Sequence, residues 1–490
     1  MWQDGHQSRV GLHDLIEHSS EIVDLVLAPH ERISVMRLLI CIVQRAINGP
    51  VTIEDREDCK DEIVPKTLKY LDAWQHAFEL VGENGAFLQF ASVQPDKEGQ
   101  YTPLSKLNMT KASGNNPTLF DNGEYGENAV DLGLLALNLL TYQNFSVGGT
   151  IGIARWNGEL TAPKAPDSAS AAPCVCASAI HLFLKTPTML ETIALNLIPF
   201  ESMCPALQSV GVPVWEKMPT SAADVDAIKN ASLTYLGRLV PVSRCVKIMS
   251  DLSGCINAKG VEYPSWIDNQ LVYYEPSMTL FKTPKEQRNV AVGANPDKSL
   301  WRSLPSLLHR YRKSYMLPAV FDNETIPDQF DIWIGAMIVD KAKIVDIIED
   351  SYVHLSPNAA DSPAFEVMID LVKKAELAAW QLKEAMKKYL AGLTDSVKNA
   401  PDLHMHAERD YWLELARYKE LLIELVRKST NAESLDSVKS ISEQWLQHVV
   451  CCARVSFESV AMKNTPRQLR AWSAARQYLP SIKTLTYEKP

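Results

Sequence analysis

From Pro363 to the C-terminus the chain offers four stretches of apolar residues at helical spacing and almost nothing else. The first carries Phe365, Ile369, Val372, Ala379, Leu382, Met386 and Tyr389 on one face. The second carries Tyr411, Leu415, Tyr418, Leu422 and Leu425, and the third Ile441, Trp445, Val449, Cys452 and Val460. The fourth opens "TPRQLRAW", with Thr465 as cap and Pro466 in the first turn. Amphipathic helices joined by short polar loops must bury their stripes against one another, which predicts an all-α four-helix bundle over 361–490.

The front of the chain is helical as well. "GLHDLIEHSSEIVDLVLA" spaces Leu12, Leu15, Ile22 and Leu25 as a helix would. "PHERISVMRLLICIVQRAI" puts Ile33, Met36, Leu39, Ile40 and Val43 on one face, and "VPKTLKYLDAWQHAFEL" lines up Leu68, Leu71, Trp74 and Phe78. Between about 80 and 360 the pattern breaks into short buried runs: "FLQFA", "CVCASAIHLFL", "RLVPVSRCVKIM", "QLVYYEPSMTLF", "NVAVGA" and "FDIWIGAMIVD". These read as strands or as short buried runs, separated by Pro, Gly, Asn and Ser, while "NGELTAPKAPDSASAAP" has the composition of a linker. The expected class is α+β: a mixed domain over 1–360 with helices and short strands, then the bundle.

No catalytic motif emerges. The chain has no phosphate loop, no GxSxG elbow, no HExxH and no GxGxxG after a strand. His404 and His406 form "HMH" without the third and fourth ligands that a metal centre needs, and His13-Asp14 lies among apolar helix positions. Cys174 and Cys176 alternate as small buried hydrophobes of a strand, and Cys451-Cys452 reads as helix core. No metal, no cofactor and no enzyme activity is expected. Nine scattered cysteines fit thiols in a reducing cytosol, and no apolar run reaches the length of about 20 residues that spans a bilayer. A soluble cytoplasmic protein without membrane contact is expected.

Charge is more informative. The chain carries a net −10, which argues against coating nucleic acid by global attraction. Yet residues 238–313 hold twelve Lys or Arg against six Asp or Glu. Among them are Arg238, Arg244, Lys247, Lys259, Lys282, Lys285, Arg288 and Lys298. Such a segment either contacts phosphate or is a solvated face. "FSVGGTIG" sets Gly148-Gly149 behind a helix, which either stops that helix or lets backbone approach a ligand closely. In "SGNNPTLFDNGEYGEN" a bare Leu119-Phe120 sits amid turn residues, so Phe120 either tucks into the core or reaches for a partner.

Taken in order, these blocks resemble the large subunit of the type I-E CRISPR surveillance complex Cascade, the CasA family. The likeness runs through "VGLHDLIEHSSEIVDL", "YLDAWQHAFELVGENGAFLQF", "LSKLNMTKASGNNPTLFDN", "NFSVGGTIG", "TIALNLIP", "VPVWE", "SLWRSLPSLL" and the helical C-terminus. It implies a noncatalytic subunit that reads the protospacer-adjacent motif in target double-stranded DNA from the minor groove and helps open the duplex. It also implies partners: crRNA-containing Cascade subunits and a helicase–nuclease effector. Carried over by position, Gly148, Gly149 and Thr150 match the family's glycine loop. Phe120, Asp121 and Asn122 match the loop that docks near the crRNA 5′ end. The lysine finger falls on Lys282 or Lys285. Lys341-Ala342 stands where the family usually has a Gln-Ala wedge, and Lys341 is equally readable as an exposed turn residue. The opening "MWQDGHQSRV" departs from the family's usual first strand. The competing reading is a protein- and RNA-binding scaffold without DNA reading.

Overall fold

The computed structural model describes residues 1–81, 87–99, 101–111, 118–121, 130–165, 175, 178–203, 209–263, 276–282, 289–296, 298–308, 315–316, 330–340, 343–355, 363–393, 402–428 and 435–486. The fold is α+β. Described residues up to Pro296, with 315–316 and 330–351, form one compact unit. Residues 298–308 and those from Tyr352 onward form a second.

The first unit is built around the helix Pro29–Ile47. Pro29 supplies a pre-set φ at its start, the Glu31 carboxylate accepts from the Ala28 N–H at 3.0 Å, and Asn48 ends it in the left-handed region at φ 56°. The expected stripe of Ile33, Met36, Leu39, Ile40 and Val43 is buried, but so are Arg37, Leu38, Ile42 and Gln44. The helix is enclosed on all sides, by the helices Ile63–Ala73, Leu132–Phe145 and Tyr235–Leu239 and by the strand Phe330–Asp340. Most of its buried polar groups are satisfied, as enclosure requires, while His30 Nδ1 finds no partner among the described residues. Arg37 donates to Asn144 Oδ1 at 3.1 Å and to the carbonyls of Leu239 and Arg238 at 3.0 and 2.7 Å. Gln44 donates to the Ile198 carbonyl at 2.8 Å and accepts from the Tyr235 hydroxyl at 2.6 Å. The preceding helix is shorter than its periodicity predicts, Leu12–Glu17, and Ile22 instead bridges to Trp2.

Among the described residues the strands form five small sheets. In the largest, Phe330–Asp340 lies between His181–Lys185 and Lys343–Leu355, with Asp331 opposite Lys185 and Gly335 opposite His181. Arg244–Ile248 pairs with Cys255–Lys259, and Leu280–Lys282 lies between Asn289–Ala291 and Tyr315–Met316. Val93–Pro95, Ala154–Trp156 and Glu159–Leu160 form a third three-stranded sheet. Of the two readings of "FLQFA" the buried run holds and not the strand: Phe87, Leu88 and Phe90 are buried, and Leu88 takes φ 53°, outside the strand region. Arg238 belongs to the helix Tyr235–Leu239 rather than to a strand.

The second unit is helical. Pro363–Leu393 buries Phe365, Ile369, Val372, Ala379, Leu382, Met386 and Tyr389, the stripe its spacing predicts. The second predicted helix is broken into Leu403–Ala416 and Glu420–Lys428. Leu435–Val460 and Pro466–Arg476 follow, then a short Ile482–Thr486. Thr465 and Gln468 form the expected cap: Thr465 Oγ1 accepts from the Gln468 N–H at 3.2 Å, and Gln468 Oε1 accepts from the Thr465 N–H at 3.0 Å. Adjacent positions on a helix point about 100° apart, so Cys452 is core while Cys451 is exposed. The segment Leu300–Leu308 contributes to this unit's core. The Trp301 ring packs on Trp412 and Trp445 at 6.1 and 5.6 Å. Arg302 lies 3.4 Å over the Trp412 ring and grips both oxygens of Glu376 at 2.7 Å. Among the described residues no helix is long and apolar enough to cross a membrane.

Candidate nucleic-acid interface

The glycine loop leaves the end of the helix Leu132–Phe145, whose start is capped by Asp131 accepting from the Leu134 N–H at 3.1 Å. That helix is zipped to the strand Arg244–Ile248. The Gln143 side chain donates to the Arg244 carbonyl at 2.9 Å and accepts from the Arg244 N–H at 2.9 Å, and Ser243 Oγ donates to the Gln143 carbonyl at 2.7 Å. The chain then turns through Ser146 and Val147, and Arg244 holds both. Its Nη2 donates to the Val147 carbonyl at 2.8 Å and the Ser146 carbonyl at 3.3 Å, while Nη1 donates to Ser243 at 2.9 Å.

Gly149 follows with φ 116°, a conformation that L side chains rarely adopt, and a Cβ built there meets nothing within 4 Å. The need for glycine is therefore conformational, and the space beside it is open. Gly149 and Thr150 pair with Ala165 and Lys164, and the Ile151 N–H donates to the Pro163 carbonyl at 3.1 Å. The stretch that reads as a linker is thus, over 159–165, strand and ladder. Gly152 is a close-packing glycine: a Cβ there would lie 2.6 Å from the Asn257 carbonyl. The result is a two-residue ribbon with exposed Thr150 and Lys164 as cross-strand partners, fixed from behind. Lys164 is a cation that the sequence reading missed. Its Pro- and Ala-rich surroundings hide the pairing.

The basic segment divides. Arg238 and Arg244 are buried, at 2% and 3% exposure, so they fit neither the phosphate-contacting nor the solvated-face reading and are structural. Arg238 donates to the Ser232 carbonyl at 2.8 Å, and Arg302 is held by Glu376. Burial is the main cause that lowers the Arg244 pKa, and no carboxylate stands among its neighbours in the described residues. Lys247 and Lys259 are tied to the Ala91 carbonyl and to Glu262. Lys282 ends the central strand of its small sheet, opposite Asn289. Lys285 and Arg288 lie outside the described residues, as do Asn122, Lys341, Ala342, Cys174 and Cys176. The strands ending at Asp340 and beginning at Lys343 are sheet neighbours.

Leu119 and Phe120 are exposed, at 70% and 40%. Thr118 Oγ1 donates to the Thr110 carbonyl at 3.0 Å and accepts from the N–H groups of Phe120 and Asp121. Asp121 also bridges to Lys111. The backbone at this end of the loop is pinned, and Phe120 does not enter the core. The one metal-like grouping among the described residues, His13, Asp14 and Glu17, has all three members exposed.

Residues 1–452 match the family model for CRISPR-associated protein Cse1. The chain belongs to the Cse1 family. It is 24% identical over 429 residues to the CRISPR-associated protein CasA/Cse1 of Thermus thermophilus, covering 84% of this chain and 79% of that one. The fold is similar to that of Thermobifida fusca Cse1, with a TM-score of 0.77 at 18% identity over 97% of this chain and 94% of that one. It is also similar to a chain of a CRISPR RNA-guided surveillance complex, with a TM-score of 0.72 at 16% identity over 99% and 96%. The glycine loop, Phe120 and Lys282 fall inside the Cse1 match, whereas the helix Pro466–Arg476 lies beyond it.

Proposed function

We propose that this Cse1-family chain is the noncatalytic large subunit of a type I-E CRISPR RNA-guided surveillance complex. It reads the protospacer-adjacent motif in duplex DNA from the minor groove and favours opening of the duplex. The minor groove offers little base information, so a reader there works by close backbone approach and a few cations. The observation that carries this reading is the glycine loop: open space beside Gly149, an exposed Thr150–Lys164 pair, and a rigid foundation at Arg244.

Lys282 or Lys285 supplies the finger cation in this reading, and Lys341-Ala342 takes the role of the wedge. The exposed Phe120, with Asp121 and Asn122, docks against crRNA-bearing subunits and gains a cover for its ring on assembly. The mixed domain over 1–360 reads and docks, and the subunit presents a surface to a helicase–nuclease. Delegating the long sequence to RNA pairing and the short motif to protein is the general logic of RNA-guided recognition.

The test is a reconstituted complex carrying Gly148→Val or Lys282→Ala. Affinity for motif-bearing duplex falls about tenfold or more, in the range of a lost specific contact, while the assembly stays whole. Loss of assembly instead identifies a scaffold. Divalent-metal-dependent cleavage of DNA by the isolated chain overturns the noncatalytic reading.

A further inference from the structure

The short helix Leu12–Glu17 sorts its residues by angle. Leu15 and Ile16 are buried, and Leu12 packs against the core beside them. That turns His13, Asp14 and Glu17 outward, all three exposed. His13 and Glu17 are one turn apart, and Asp14 precedes Glu17 by three positions, so the three are neighbours on the helix surface. An imidazole nitrogen and two carboxylate oxygens from these residues all lie within 4.8 Å of one another. The helix packs on Ile63–Ala73, whose last turn brings Asp72 to the same imidazole.

His13 thus has a carboxylate at each ring nitrogen. Nδ1 is 3.7 Å from Glu17 Oε2, and Nε2 is 3.7 Å from Asp72 Oδ1. Both separations exceed the hydrogen-bond range, which ends at about 3.2 Å. The Nδ1–Glu17 separation is instead near that of two ligands on one tetrahedral ion, where bonds of about 2.1 Å set ligand atoms about 3.4 Å apart. Among the described residues no Lys or Arg pairs with Asp14, Glu17 or Asp72. Three carboxylates therefore crowd one ring without a neutralising cation, in a chain of net −10, and a bound dication relieves that field.

Asp72 adds what the spacing of one helix does not. A histidine that ligates a metal through one nitrogen almost always gives its other N–H to a carboxylate, which fixes the tautomer and makes the ligating nitrogen a better donor. Glu17 stands at Nδ1, and Asp72, from a second helix, stands at Nε2.

We infer that His13 Nδ1, Asp14 and Glu17 bind one divalent ion of the zinc class, with Asp72 as the outer partner of the imidazole. Imidazole suits zinc, nickel and cobalt, whereas magnesium and calcium take oxygen ligands. Three protein ligands leave a fourth position for water. Because Asp72 belongs to Ile63–Ala73, the bound ion ties the first helix to that one. The site is independent of the glycine-loop reading and asks nothing of DNA.

The experiment is calorimetric titration of the untagged full chain, stripped with EDTA and freed of the chelator, with zinc chloride. One zinc binds per chain, and excess magnesium does not displace it. His13→Ala and Glu17→Gln each weaken zinc about tenfold or more, and Asp72→Asn, which removes no ligand, weakens it about tenfold. His406→Ala leaves binding unchanged, which separates this site from the His404–His406 pair. Cobalt in place of zinc gives a visible spectrum without a thiolate charge-transfer band, which separates it from the cysteines. All four substituted positions are exposed, so the metal-free variants melt with the parent chain. No zinc uptake, full uptake by His13→Ala, displacement by magnesium, or a thiolate band with cobalt overturns the site.

Discussion

The guanidinium of Arg244 donates to the carbonyl of Val147 at 2.8 Å, one residue ahead of the paired glycines. It is a buried cation turned on main-chain oxygens, so its charge is spent on shaping the loop rather than on touching phosphate. Arg244→Gln leaves the Ser146, Val147 and Ser243 carbonyls short of donors and lowers stability by about 2–4 kcal/mol. Urea denaturation of the isolated chain measures this. In the assembled complex the same substitution weakens motif-bearing DNA without changing the salt slope, because no phosphate contact is lost.

Lys164 behaves in the opposite way. It is exposed beside Thr150 at the open edge of the ribbon. Lys164→Ala leaves stability within about 0.5 kcal/mol, as exposed positions do. It lowers the slope of log affinity against log salt by about 1. Titrations of the complex at several ionic strengths read this directly, and an unchanged slope removes Lys164 from the interface.

Phe120→Ala changes the melting temperature of the free chain little, because the ring is already 40% exposed. It weakens retention of this chain by its partners in size-exclusion chromatography. A drop in stability of about 3 kcal/mol, the scale of a truncated core aromatic, contradicts the exposed placement.

Acid sensitivity comes from two buried histidines. Burial lowers His30 from 6.5 to about 4, and burial with the nearby Arg37 charge lowers His181 from 6.5 to about 3. Both stay neutral in the folded chain at pH values where the unfolded chain binds protons. Their stabilisation is complete above 6.5 and is lost as pH falls toward 4 and 3. Between about pH 7.5 and 5.5 the loss is about 1 kcal/mol for each group. Urea midpoints at the two pH values report it, and His30→Gln removes about half of the drop.

Local rules reach some of this architecture and not the rest. Thr465-Pro466 announces its helix because a cap and a fixed φ act within one turn. The stripe from Phe365 to Tyr389 announces its burial because its period matches the helix. The strand Phe330–Asp340 is legible through its apolar stretch from Ile332 to Val339. Arg244 and Arg238 are misread because their partners are main-chain carbonyls, which every sequence contains and none advertises. Residues 159–165 are misread because Pro and Ala say nothing of the two-residue ladder that Gly149 and Thr150 demand. Leu88 defeats the strand reading of "FLQFA" through a positive φ that no apolar pattern signals.

The Trp301 ring, wedged against Trp412 and Trp445, has a practical consequence for dissection and for recombination. A fragment beginning near Pro363 would inherit the helices but forfeit the indole and the guanidinium that knit their inner surface. The helical part is therefore no cassette. It borrows an upstream peptide, and a breakpoint that respects its helices alone would leave Trp412 facing a hole and Glu376 without its clasp.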